Sequence, residues 1–142
     1  MKTNMKSLKI LTINILALTI PTFGQEEHQI DQDLKTCLSI DSNQTTQGMN
    51  RCTYRGEDSW DKELNKYYTS LINKLDSTGQ KQLLEAQRQW INYRDKEFEF
   101  MKNYYYEKKQ GTMWSNVAAG SRYDLVKARA LELKNYYEML DY

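Results

Sequence analysis

No proline occurs after Pro21, so nothing from residue 22 to residue 142 carries the ring that breaks a helix. Over that stretch large apolar residues recur every three or four positions, the period of a helix with one buried stripe. Ile30, Leu34, Cys37 and Leu38 predict a short amphipathic helix over 30–39, and Asp41-Ser42-Asn43 a turn. Thr45 or Thr46 can cap a second helix over 46–75, with a stripe of Met49, Cys52, Trp60, Leu64, Tyr67/Tyr68, Leu71 and Leu75. Its gap around Gly56 predicts a bend. Ser77 with Gln80 reads as a capping box for a third helix over 78–109, striped by Leu83/Leu84, Gln87, Trp90/Ile91, Arg94, Phe98, Met101 and Tyr105. Gly111 then stops one helix and Thr112 caps the next. Tyr123, Val126, Ala130, Leu133, Tyr137 and Leu140 follow at nearly strict heptad spacing.

The N-terminus has a different character. Lys2, Lys6 and Lys9 precede an apolar run from Ile10 to Phe23, and Thr22-Phe23-Gly24 sets small residues at −3 and −1 of a cleavage site. Residues 1–24 therefore read as a secretory signal peptide and 25–142 as one exported domain, periplasmic or secreted. The competing reading, an uncleaved anchor, meets an apolar run shorter than the ~20 residues of a span. With no second such run, the chain after cleavage is not expected to insert stably in a membrane. Residues 25–29 are polar and expected to be disordered.

Export bears on the two cysteines. An oxidising compartment favours a disulfide between Cys37 and Cys52, closing the short helix onto the start of the second. A metal site with His28 as third ligand lacks a fourth ligand at suitable spacing. The expected fold is thus all-α: an elongated antiparallel helical bundle of three long helices plus one short N-terminal helix tied by a disulfide.

Composition narrows the function. The chain has 20 Lys+Arg and 19 Asp+Glu; three of the lysines lie in 1–24, which leaves 25–142 with a net charge of −2. That is no nucleic-acid footprint, though weak negative charge suits a cationic protein partner. The sole histidine, His28, is expected in the mobile tail, so no nucleophile–histidine arrangement is natural. Phosphate-loop, dinucleotide and zinc-protease motifs are missing as well. No enzyme activity and no cofactor are expected.

Two segments are distinctive: Trp60-Asp61-Lys62-Glu63-Leu64-Asn65, and Ala86-Gln87-Arg88-Gln89-Trp90-Ile91-Asn92-Tyr93-Arg94-Asp95. With Cys37, the Thr46/Met49/Cys52 spacing, Gly111-Thr112 and Leu125/Arg129, they resemble the lysozyme-inhibitor LprI-like family of small exported bacterial helical domains. The resemblance spans nearly all of 25–142. It departs at Phe98 and Ser121, where many members carry a second cysteine pair, and this puts the rigidity of the contact between helices three and four in doubt. The resemblance implies an exported binding protein that inhibits a lysozyme or another cell-wall hydrolase. The alternative is an envelope interaction or stability domain with no lysozyme-directed activity.

Arg94 lies on an apolar stripe and needs a partner, with Asp61, Glu63 and Asp95 as candidates and Arg129 able to join from helix four. An ion-pair cluster fixing helix register, a polar binding groove and a catalytic cluster are the readings open to it; an acid from helix two is the expected partner. The chain also has 11 tyrosines, among them Tyr104, Tyr105 and Tyr106 in succession. Successive tyrosines on a helix cannot all face the core; exposed ones edge a thin bundle or meet a partner. If a partner is bound, Tyr104, Tyr105, Tyr106, Lys109 and Trp114, around the turn 108–112, are the expected contact.

Overall fold

The computed structural model describes residues 27–140. The signal-peptide expectation falls on residues outside that range. Among the described residues every regular element is helical: α1 (Gln29–Ser39), a 3-10 turn (Asp41–Asn43), α2 (Thr46–Lys74), α3 (Ser77–Met101), a π-helical segment (Lys102–Lys108) and α4 (Met113–Met139). The expected all-α architecture is present, and so is the Cys37–Cys52 disulfide.

Helix ends follow local chemistry. Thr45 caps α2 by accepting from the Gly48 amide at 3.0 Å. The expected Ser77–Gln80 box does not form. Asp76 is the cap of α3, accepting from the Gly79 amide at 2.8 Å. Gln80 turns back instead and donates to the Ile72 and Leu75 carbonyls, satisfying the frayed end of α2. Thr112 sits at the start of α4 without a side-chain cap bond. Nor is His28 in a loose tail: it caps α1 by accepting from the Ile30 amide, and its ring lies 4.4 Å from that of Trp60.

Cross-helix contacts set the topology. Asn50 meets Ser115, Glu57 meets Arg122 and Trp60 meets Tyr123, so α2 and α4 run in the same direction. Gln87 meets Arg129 and Phe98 meets Arg122, so α3 runs against both. The α2–α4 seam is the core: Trp60, Leu64, Leu71, Tyr123, Val126, Ala130 and Leu133 are all buried. Ala118 and Ala119, fully buried, let the two helices approach closely. By contrast, α3 has Gln87 as its one buried residue. It leans on the seam through half-buried Leu83, Trp90 and Phe98, while Leu84 and Ile91 of its expected stripe stay exposed.

Gly56 does not break α2, which continues through it. A Cβ there would stand 2.7 Å from the Tyr123 ring, so the glycine marks a close approach of α4 to α2. We expect Gly56→Ala to destabilise by ~1–3 kcal/mol through overpacking, measured by urea unfolding. A gain in stability, as helix propensity alone would give, would overturn the close-approach reading.

The seam is closed by a polar network. The Trp60 indole N–H donates to the Tyr123 hydroxyl at 2.9 Å. Tyr123 in turn donates to the Asp31 carboxylate, and Lys127 donates to its other oxygen at 2.8 Å. Three helices meet at this point. Burial pushes the Asp31 carboxyl up, but the Lys127 and Tyr123 hydrogen bonds outweigh it and hold it below its ordinary 3.8. The folded protein therefore binds that proton less readily than the unfolded chain. The stabilisation is fully present above the unfolded-state value and is lost as pH falls through the folded-state one. Asp31→Asn should accordingly lose stability at neutral pH and show a shallower acid decline than wild type. Identical acid limbs would remove Asp31 from the account.

Candidate functional site

The turn from α3 to α4 is the most unusual local structure. After Met101 the helix widens into the π form, ending with the Lys109 amide bonded to the Tyr104 carbonyl at 3.2 Å. The expected single helix over 78–109 is thus α-helical only to residue 101. A wider turn separates successive side chains by a smaller angle, so Tyr104 and Tyr105 meet edge-to-face with ring centres 5.2 Å apart, while each of the three tyrosines also has a further partner. Tyr104 stacks on Phe100 with ring centres 5.7 Å apart. Tyr105 stacks on Trp114 at 5.8 Å. The hydroxyls of Tyr106 and Tyr54 lie 3.0 Å apart, bridging the segment to α2. Burial, with the Tyr54 hydrogen bond next, pushes the Tyr106 phenol up to about 12. Segments of π-helix occur frequently at functional sites.

The turn that follows is stiffened from within. Gly111 has φ 100°, the left-handed region that favours glycine. Lys109 folds back so that its ammonium lies 4.9 Å from the Trp114 ring centre and 5.2 Å from that of Tyr104. Phe100 and Met113, at 57% and 61% exposure, stand on the outside with half-exposed Tyr106. Beside the π segment an open groove of about 560 Å³ runs along α4, lined by Phe98, Glu99, Met101, Lys102, Tyr106, Glu107, Ala118 and Arg122. Its far wall is fixed by a two-pronged ion pair: Arg122 donates to both Glu57 oxygens, at 2.7 and 3.2 Å. Burial draws the Arg122 guanidinium down, but the Glu57 bonds outweigh that and leave it raised. The same guanidinium lies 4.0 Å from the Phe98 ring centre, so α3 and α4 are held here by stacking where a cysteine pair was missed.

The sequence-marked residues fall into three places. Trp60 and Leu64 are buried in the seam, while Asp61 accepts from Asn65 and Glu63 binds Lys66 on the outer face of the same helix. Gln87, Trp90 and Arg129 meet between α3 and α4: Arg129, 7% exposed, donates to Gln87 Oε1 at 3.0 Å and to Glu132 at 2.6 Å. Arg88 and Tyr93 are exposed. Arg94 is mostly buried, with 24% of its side chain exposed, but its partner is Asp95, one residue on, at 2.8 Å rather than an acid from α2. Its guanidinium lies over Trp90 and Phe98. Tyr104, Tyr105, Lys109 and Trp114 come together at the tip, with Tyr106 on its other side.

Sequence reading missed Tyr54, Glu57, Phe100, Met113 and Arg122. Phe100 had one signal, its i, i+4 spacing to Tyr104. The described residues contain no group of His, Cys, Asp and Glu able to hold a metal ion, and no helix long and apolar enough to cross a membrane. A tip of stacked aromatics around a lysine, with exposed apolar side chains beside it, offers a contact surface.

Comparison with known proteins adds three findings. A family model described as Lysozyme inhibitor LprI matches residues 37–133, well over half of the chain. No curated protein matches. Among solved structures, the chain is similar to an uncharacterized protein from Burkholderia thailandensis, with a TM-score of 0.76 and 26% identity over 82% of this chain. The match spans 56% of the length of that protein's chain.

Proposed function

Since the chain belongs to the lysozyme inhibitor LprI family, we propose that it is an exported binding protein that inhibits a lysozyme or another cell-wall hydrolase. Residues 1–24 act as the signal peptide in this reading, and 25–142 as the working domain. The observation that carries it is the family match over 37–133, which takes in both tryptophan motifs and the whole tip. The tip supports it physically. Interface energy concentrates in a few aromatic and arginine anchors, and rings already stacked lose little freedom on binding. An inhibitor that works by contact needs no catalytic group of its own; it has only to exclude the glycan from the cleft.

The test is a lysis assay with purified protein, run against lysozymes of several types alongside a direct binding measurement. Dose-dependent slowing of lysis with saturable binding is the expected result. If every lysozyme lyses at its full rate and none binds, the inhibitor reading fails. An envelope interaction or stability domain with no lysozyme-directed activity then takes its place.

A further inference from the structure

We propose that Lys108 is the cation that enters the partner's cleft, and that the cleft is a glycan-binding one lined by carboxylates. This rests on the inhibitor reading and names the chemistry of its contact. The two lysines of the turn are not equivalent. Lys109 is half-buried and spent within the tip, its ammonium held over Trp114 and Tyr104. Lys108 is the last residue of the π segment and exposed, and its ammonium makes no hydrogen bond or ion pair among the described residues. The π segment that closes with the Lys109 amide on the Tyr104 carbonyl leads up to Lys108, and the Lys109 clamp and left-handed Gly111 follow it, so Lys108 is presented from an ordered base.

Charge supports the assignment. Residues 102–112 contain Lys102, Lys108 and Lys109 against the single acid Glu107, a local net of +2 in a domain that is otherwise net acidic. Enzymes that cleave glycosidic bonds place a pair of carboxyl groups beside the scissile bond, at least one of them ionised. Such a cleft offers an ammonium a desolvated counter-charge. Tyr106, Tyr104, Met113 and Phe100 are the exposed large hydrophobic side chains nearest in sequence to that cation, suited to subsites that otherwise receive sugar faces.

The experiment measures inhibition and binding kinetics on a lysozyme that the wild-type protein inhibits, with Lys108→Ala, Lys108→Glu and Lys108→Arg. Because Lys108 is exposed, unchanged melting curves should show that all three fold. Lys108→Ala should weaken binding at least ~30-fold, mainly through faster dissociation, as when one partner of a desolvated pair is truncated. Lys108→Glu should be weaker still, and Lys108→Arg should recover most of the loss. A chito-oligosaccharide filling the cleft should displace the wild-type protein. Unchanged inhibition by the Ala and Glu variants would overturn the assignment while leaving the inhibitor reading intact. So would a loss confined to the association rate and abolished by salt, since that is steering from a rim. Should the wild-type protein inhibit and bind no lysozyme, the reading itself fails and the assignment falls with it.

Discussion

Trp60→Ala is expected to be among the most destabilising single substitutions, at ~3–5 kcal/mol. The indole is 1% exposed and sits where α1, α2 and α4 meet. Removing it opens a cavity in the seam and deletes the donor to the Tyr123 hydroxyl. The His28 ring that packs against it loses its support, and with it the start of α1. Trp60→Phe separates the two effects: it keeps a ring in place and loses the N–H. Tyr123 still donates to Asp31 in that variant, so about 1–2 kcal/mol is expected beyond the volume change. Urea unfolding at neutral pH measures both. A cost below ~1 kcal/mol for Trp60→Ala would mean that the seam is held elsewhere.

Loss of the disulfide should cost ~3 kcal/mol in the chain-entropy model for a bridge across 15 residues. The effect should also be local. No residue of α1 is fully buried, so its position rests on the Cys37–Cys52 bond, the Asp31 network and half-buried Ile30 and Leu34. In Cys37→Ala/Cys52→Ala the amides of 29–39 should exchange with solvent well before those of the α2–α4 seam. The paired cysteine variant is preferable to chemical reduction, since it leaves no free thiol. If stability and α1 exchange are both unchanged, the bridge is incidental to the fold.

Helix positions were largely legible because their determinants are local. Thr45 and the Asp76-Ser77 cluster bound α2 to within a residue of the expected 46–75, and the heptad of α4 holds as far as Tyr137 before Leu140 emerges at the end. Partner choice was not legible. Glu57 finds Arg122 from 65 residues away and Asp31 finds Tyr123 from 92, and no periodicity encodes such a pairing. Arg94 shows the converse error. A stripe position suggested a partner across the bundle, yet the side chain bends to Asp95 beside it while the aromatics cover its plane. Gly56 looked like a helix defect because propensity is a local quantity, whereas its reason is a tyrosine from another helix.

At the tip, composition and geometry divide the information differently. Three successive tyrosines signalled that some would be exposed, but not that the backbone would widen to give each its own neighbour. The turn lysines looked alike in sequence and differ in three dimensions, one folded onto rings and one free. The groove along α4 joins residues of α3, the π segment and α4, a packing outcome that the stripe of helix three did not foretell.

The most direct test of the tip as the contact face is hydrogen exchange of the protein alone and with a lysozyme at saturating concentration. The account predicts slowed exchange concentrated in 100–114, with the outer face of α3 and the α1–α2 end unchanged. Protection confined to those other surfaces, with 100–114 exchanging as in the free protein, would contradict it.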